Sequence, residues 1–211
     1  MRISWKLPLQ ADGLRGELDN GSPFVIRPIR ASDGPILERT FQRMSPRSRY
    51  LRFFSVSDRL GPDLIEQLTD IDHTSHLAWV VFDPTKPSEV DGSHEGLGIA
   101  IARLIAIGSE PGVAEAALVV ADAYQGRGFG RLLLQLLVGT AQDTRVSFLR
   151  FETLAQNSGM RGLLSSLNAV KNDRLSDFEI LVYDLPVDEP DDDDSGVGVL
   201  YQLLRYLATG A

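Results

Sequence analysis

Residues 116–121 form an unbroken apolar run, residues 132–134 are three leucines, and between them Gly126, Gly128 and Gly130 stand at alternate positions. A buried strand, a turn and an apolar helix account for this pattern, because glycines without a Cβ let the backbone turn tightly and bring its amides close to a neighbour. A helix that starts at such a corner points free N–H groups and the positive end of its dipole at one place, which makes the corner a site for phosphate. A P-loop requires Lys and then Ser or Thr after its last glycine, and here Arg131 and Leu132 follow Gly130. A dinucleotide fingerprint reads G-x-G-x-x-G, whereas this corner reads G-x-G-x-G. Glu152 falls about where the acidic ribose-binding residue of that fingerprint would sit, but no series of strand-helix-strand units surrounds it. A packing corner without ligand is the remaining alternative, and three glycines in five positions exceed what packing needs.

The 211 residues are enough for one domain with a sizeable core, and 43% hydrophobic with 24% charged residues is the balance of a globular chain. No apolar run approaches the roughly 20 residues of a membrane helix. Residues 1–20 scatter Lys6, Asp12, Arg15, Glu17 and Asp19 among their apolar positions, so no signal peptide is expected, and the expected location is cytoplasmic. The absence of cysteine excludes disulfides, thiolate metal sites and an acyl-cysteine intermediate. Asp188, Glu189, Asp191, Asp192, Asp193 and Asp194 carry six of the eight net negative charges, so the rest is nearly neutral. Neither a nucleic-acid partner nor a membrane surface is expected.

Alternation and capping residues divide the chain further. Residues 24–30 read as a strand, and Ser32 and Asp33 offer caps for a helix through Arg43 with Ile36, Leu37, Thr40, Phe41 and Met44 on its inner face. A second helix ends at Phe53, with Ser45 as its natural N-cap and Pro46 in its first turn. A third helix is expected at 63–69. Strands at 77–82 and 97–107 flank a polar segment, followed by a strand at 115–121, a helix at 127–142, a strand at 148–154, a helix at 157–167 and a strand at 178–185. The expected organisation is an N-terminal extension (1–22), one mixed α/β domain (23–186), an acidic linker (187–196) and a C-terminal amphipathic helix (197–211). In that helix Leu200, Leu203, Leu204 and Leu207 share a face that the parent domain, a second copy in a homodimer or the substrate cleft would cover. His73 and His76, beside Asp70 and Asp72, lack a third ligand motif and read as hydrogen-bonding loop residues, so no metal is expected.

The corner Gln125-Gly126-Arg127-Gly128-Phe129-Gly130 resembles the acetyl-CoA motif of the GNAT superfamily of N-acetyltransferases: Gln or Arg, two residues, Gly, any residue, Gly or Ala. Residues 41–54, 72–80 and 114–122 extend the likeness to the GNAT domains of bacterial protein lysine acetyltransferases. The resemblance implies the mixed-sheet GNAT fold over roughly residues 24–185 and acetyl-CoA as co-substrate. It also implies that the backbone around Gln125, Gly126, Arg127, Gly128, Phe129, Gly130 and Arg131 holds the pyrophosphate. Val119, Val120 and Ala121 would pair with the pantetheine arm, a backbone amide near Val120 would polarise the thioester carbonyl, and Asn157 would lie near the pantetheine. Arg127 and Arg131, on the expected first turn of the helix, would add positive charge to the phosphates.

Acetyl transfer to an amine needs a neutral nucleophile, and a lysine amine with its ordinary pKa of about 10.4 is mostly protonated near neutrality. A base must therefore take a proton, directly or through water. Glu115, at the start of the strand that leads to the corner and among apolar neighbours, is the candidate, and the resemblance implies the same role. Many relatives carry a tyrosine late in the helix after Asn157. Here residues 162–168 contain none, and Ala169 and Val170 stand where a glycine usually follows. Ser165 or Ser166 would donate through water, or the thiolate would leave unassisted. The expected acceptor is a protein lysine; the alternatives are a small-molecule amine, or a non-catalytic acetyl-CoA sensor.

Overall fold

A computed structural model describes residues 13–54, 57–90 and 94–187, together with the backbone of residues 4–10. The linker beyond Val187 and the helix expected at 197–211 lie outside these residues. The strands are β1 (Ser4–Gln10), β2 (Gly13–Glu17), β3 (Pro23–Pro28), β4 (His76–Asp83), β5 (Leu97–Ala106), β6 (Val113–Val120), β7 (Phe148–Leu154), β8 (Val170–Lys171) and β9 (Ile180–Pro186). The helices are α1 (Gly34–Arg43), α2 (Pro46–Phe53), α3 (Pro62–Thr69), α4 (Phe129–Asp143) and α5 (Ser158–Ser165).

All the strands join one sheet in the order β1-β2-β3-β4-β5-β6-β7-β9-β8. Neighbours are antiparallel except β6 and β7, which run parallel. Both faces of the sheet are covered, which is why β4, the run His-Leu-Ala-Trp-Val-Val-Phe-Asp, is buried along nearly its whole length. On one face α1 and α3 pack Ile36, Leu37, Phe41 and Ile65 onto Val25, Val80, Phe82 and Ile101. On the other, α4 packs Leu132, Leu133, Leu136 and Leu137 onto Leu104, Ala116, Leu149 and Phe151. Strand β6 serves both faces by alternation: Ala114, Ala116 and Val120 belong to the α4 core, whereas Val119 packs toward α1.

The N-terminal residues add a hairpin to the sheet edge, which residue pattern did not indicate. Strand β2 is five residues long, with Leu14 buried and Arg15 and Glu17 exposed, so its alternation is too brief to stand out. The two-residue β8 is shorter still. The final strand begins at Ile180, not 178; Phe178 lies before it and is 93% exposed. Helix α4 begins at Phe129, not 127, because Gly126 and Gly128 hold φ of +71° and +100° and turn the chain ahead of the helix. Ser45 caps α2 as its position suggested, accepting from the Ser48 amide at 3.1 Å.

The entry to α1 is tied to the sheet by buried charge. Arg27 on β3 donates to Asp33 at 2.6 and 2.8 Å and to Glu95 at 2.7 Å. None of the described helices is long and apolar enough to cross a membrane.

Candidate active site

The parallel pairing of β6 with β7 is short, joining Val113–Glu115 to Phe148–Arg150 only. Past Glu115, β6 continues to Val120 against β5, and β7 continues to Leu154 against β9. The two strands therefore part at Glu115 and leave a cleft of about 550 Å³ between them. Residues 116–120 form one wall and Phe151, Glu152 and Thr153 the other. Met44, Ser48, Leu51 and Arg52 border it on the α2 side, and Asn157, Met160 and Leu163 on the α5 side. The size is that of a ligand pocket. Thr153 belongs to this wall, and its hydroxyl is buried without a hydrogen-bond partner among the described residues.

The glycine corner closes one end of the cleft, and its three glycines are there for different reasons. Gly126 and Gly128 supply left-handed backbone, and a Cβ on Gly126 would meet nothing within 4 Å, so that face is open to a ligand. Gly130 lets α4 approach α5: a Cβ there would stand 3.3 Å from the Leu163 side chain. Gln125 turns back to donate to the Val120 carbonyl at 3.0 Å and to Asp122 at 3.2 Å. Asp122 also accepts the Ser45 amide at 2.9 Å, which joins the corner to the cap of α2. Neighbouring hydrogen bonds from Ser48 and Ser45 hold the Asp122 carboxyl below the usual range against the opposing effect of burial.

The predicted ligand-holding residues do not all face the cleft. Gln125, Gly126, Gly128, Gly130, Arg131, Val119, Val120 and Asn157 line it. Arg127 does not: its guanidinium stacks over the Tyr124 ring at 5.0 Å and donates to Ser22 at 3.0 Å, and its carbonyl accepts from Asn20 at 2.9 Å. It binds the corner to the β2–β3 turn. Phe129 is buried in the α4 core, edge-on to Tyr124 at 5.9 Å, and Ala121 is buried beside it, so only the backbone of either is placed to meet a ligand. Asn157 uses its side-chain oxygen to cap α5, accepting the Met160 amide at 3.1 Å. Ser165 and Ser166 are not among the cleft-lining residues, and Ser166 donates to the Leu163 carbonyl at 2.7 Å.

Glu115 stands where the two strands part. Its side chain is exposed, so its apolar sequence neighbours do not enclose it. Across β5 its partner is Ile105, and Arg103 sits opposite Ala117, which makes Arg103 and Glu115 diagonal neighbours on the face that carries α1, α2 and α3. Arg103 is buried, donates to the Leu68 carbonyl at 3.2 Å and lies 2.8 Å from His76 Nε2. Burial first, and then the Arg52 charge, push Arg103 down to about 10, with Glu115 opposing. Burial, then Arg103, push His76 down to about 4. The loop before His76 is organised by Asp72, whose carboxylate accepts from the Ser75 hydroxyl and from the amides of Thr74, Ser75 and His76. Arg52 and Ser48 were not singled out as site residues by sequence; the only signal was their place in the 41–54 segment.

A family model described as Acetyltransferase (GNAT) family matches residues 55–168. The chain belongs to this family. An acetyltransferase of Pseudomonas aeruginosa is 31% identical over 72% of this chain and 78% of its own length. The Acetyltransferase Pat of Mycolicibacterium smegmatis is 31% identical over 73% of this chain, which spans 43% of that longer protein. The GNAT domain of S. lividans PAT superposes with a TM-score of 0.68 over 85% of this chain and 100% of that domain, at 23% identity, and thus shares the fold. The mixed sheet with its parted parallel strands is the GNAT fold, and the protein is a GNAT acetyltransferase. The donor used in this family is acetyl-CoA.

Proposed function

We propose that this GNAT protein transfers the acetyl group of acetyl-CoA to a lysine side chain of a protein, with Glu115 as the general base. The observation that carries this reading is the parting of β6 from β7 at Glu115, with the glycine corner at the far end of the same strand. From Glu115 to Val120 the strand rises roughly 17 Å at about 3.3 Å per residue. One strand thus supports phosphate binding at one end and proton removal at the other. Between them the β7-facing edge of β6 has no strand partner among the described residues, so an extended, amide-bearing arm fits there as an added strand would.

The amides of Gly126, Gly128 and the first turn of α4, with Arg131, hold the pyrophosphate. A backbone amide near Val120 donates to the carbonyl oxygen as negative charge develops there. Glu115 takes the proton from the attacking amine, directly or through water, and its exposure gives that proton a route to solvent. With Ser165 and Ser166 outside the cleft wall, the thiolate leaves without a side-chain acid from either, as its ordinary acidity allows. The resemblance of residues 41–54, 72–80 and 114–122 to the GNAT domains of protein lysine acetyltransferases supports the protein acceptor.

The test is release of free CoA from acetyl-CoA in the presence of lysine-bearing proteins, polyamines and amino acids. Release with proteins alone is the expected result. Release with small amines alone moves the acceptor to that class, and binding of acetyl-CoA without release across the panel makes the domain a sensor.

A further inference from the structure

We propose that Arg52 selects acceptors in which a carboxylate stands beside the reacting amine, as in a lysine flanked by an acidic residue. The inference rests on Glu115 as the base and adds a chemical class to the acceptor.

Arg52 projects from α2 into the cleft wall. Its guanidinium stacks over the Phe53 ring at 5.1 Å, but no hydrogen bond or contact ion pair engages it among the described residues. The Glu115 side chain is likewise without a hydrogen bond or contact ion pair among the described residues. The Glu115 charge acts on Arg52, and both charges act on Arg103. Arg103 is already engaged by His76 and the Leu68 carbonyl. The result is one free cation and one free anion, near each other at the point where the strands part.

If Arg52 served to hold Glu115, the pair would be expected to close into a short contact, as Arg27 and Asp33 do at 2.6 Å. The open pair instead complements a ligand of opposite polarity, an amine toward Glu115 and a carboxylate toward Arg52. A partly desolvated guanidinium without a hydrogen-bonded anion is unfavourable, and a bound carboxylate relieves it. The donor does not meet this need, because its phosphates belong at the glycine corner, roughly 17 Å along β6. The acceptor must approach from the face of the sheet on which its base lies, and that face carries α2 and Arg52.

The amine with a neighbouring carboxylate has two sources, a lysine next to Asp or Glu in a polypeptide and a free amino acid. Transfer is measured as kcat/KM on matched acceptors: blocked peptides with a single lysine flanked by Glu or by Gln, and Nα-acetyl-lysine against its carboxamide. The expected result is a preference of about tenfold or more for the carboxylate member in one arm, the size of a hydrogen bond to a charged group. The arm that shows the preference names the source. Arg52→Gln should bring the ratio close to one, and Arg52→Lys should retain part of it. A wild-type ratio near one in both arms overturns the proposal. So does an Arg52→Gln variant that slows both members equally, which would make Arg52 a positioning residue for Glu115. Transfer to none of the acceptors while acetyl-CoA still binds removes the transferase reading itself, and this inference with it. The wild-type ratio needs no variant, so a poorly folding Arg52→Gln leaves the test intact.

Discussion

Around Arg27 every guanidinium nitrogen has an acceptor: Nε meets Glu95, Nη1 meets Asp33 and the Pro28 carbonyl, and Nη2 meets the second oxygen of Asp33. Arg27, Asp33 and Glu95 are each no more than 5% exposed, and Phe82 covers the guanidinium at 4.9 Å. Around Glu115 the arrangement is the reverse. The Glu115 charge acts on Arg52 and on Arg103, yet neither closes on the carboxylate, and Glu115 stays exposed one residue before the cleft-lining part of β6 begins at Ala116. Both clusters rest on the same covered side of the sheet, built from the same residue types. The closed one fastens the start of α1 to β3 and to the start of β5, so its charges are fully matched inside the protein. The open one is matched only by field, which is how charge is kept available for something that arrives later.

The sharpest way to break this contrast is to neutralise one member of each cluster. Glu115→Gln should lower the transfer rate by about 10²–10⁴-fold near neutral pH, the usual contribution of a general base, while acetyl-CoA affinity and the urea midpoint stay where they are. An unchanged rate would take Glu115 out of the chemistry; a large fall in the midpoint would make the open cluster structural. Arg27→Met should do the opposite, costing about 3–5 kcal/mol of stability because two buried carboxylates lose their partner. Its specific rate per folded molecule should be retained. A loss below about 1 kcal/mol would mean that the closed cluster does not hold α1 in place.

The smallest effect concerns the link between the clusters' surroundings and pH. His76 contacts Arg103 and is pushed from 6.5 down to about 4, first by burial and then by the Arg103 charge, against the opposing pull of Asp72. The unfolded chain takes up a proton at pH values where the folded one does not, so this histidine adds stability above about 6.5 that disappears as the pH falls toward 4. His76→Gln should flatten the decline of the urea midpoint between pH 7 and roughly pH 4. An equally steep decline in the variant would assign the acid sensitivity to other groups.

Much of the framework was legible because it depends on neighbours in sequence. Ser45-Pro46 announces a helix start, since a hydroxyl acceptor followed by a preset φ is a local device. The run of leucines in α4 and the unbroken apolar run of β6 are patterns that the chain carries without help. The β1–β2 hairpin and β8 were not legible, because strands this short are stabilised by the edges they join and not by their own pattern. Arg127 shows the same limit within the site. Its place beside three glycines suggested phosphate, but the turn at Asn20 and Ser22 lies against it in the folded chain and takes its side chain.

By itself, the order of residues determined that a strand would run into a tight glycine corner and a helix, and that Glu115 would stand near the beginning of that strand. Left-handed backbone at Gly126 and Gly128 is a property of glycine, and the spacing between corner and carboxylate is a property of an extended chain. Which groups face Glu115 was decided only by tertiary structure. The Glu115 charge acts on Arg52, which a helix some sixty residues earlier in the chain carries, and on Arg103 of the adjacent strand, placed by the register of β5 on β6. Those juxtapositions join residues far apart in the chain, and no local pattern specifies them.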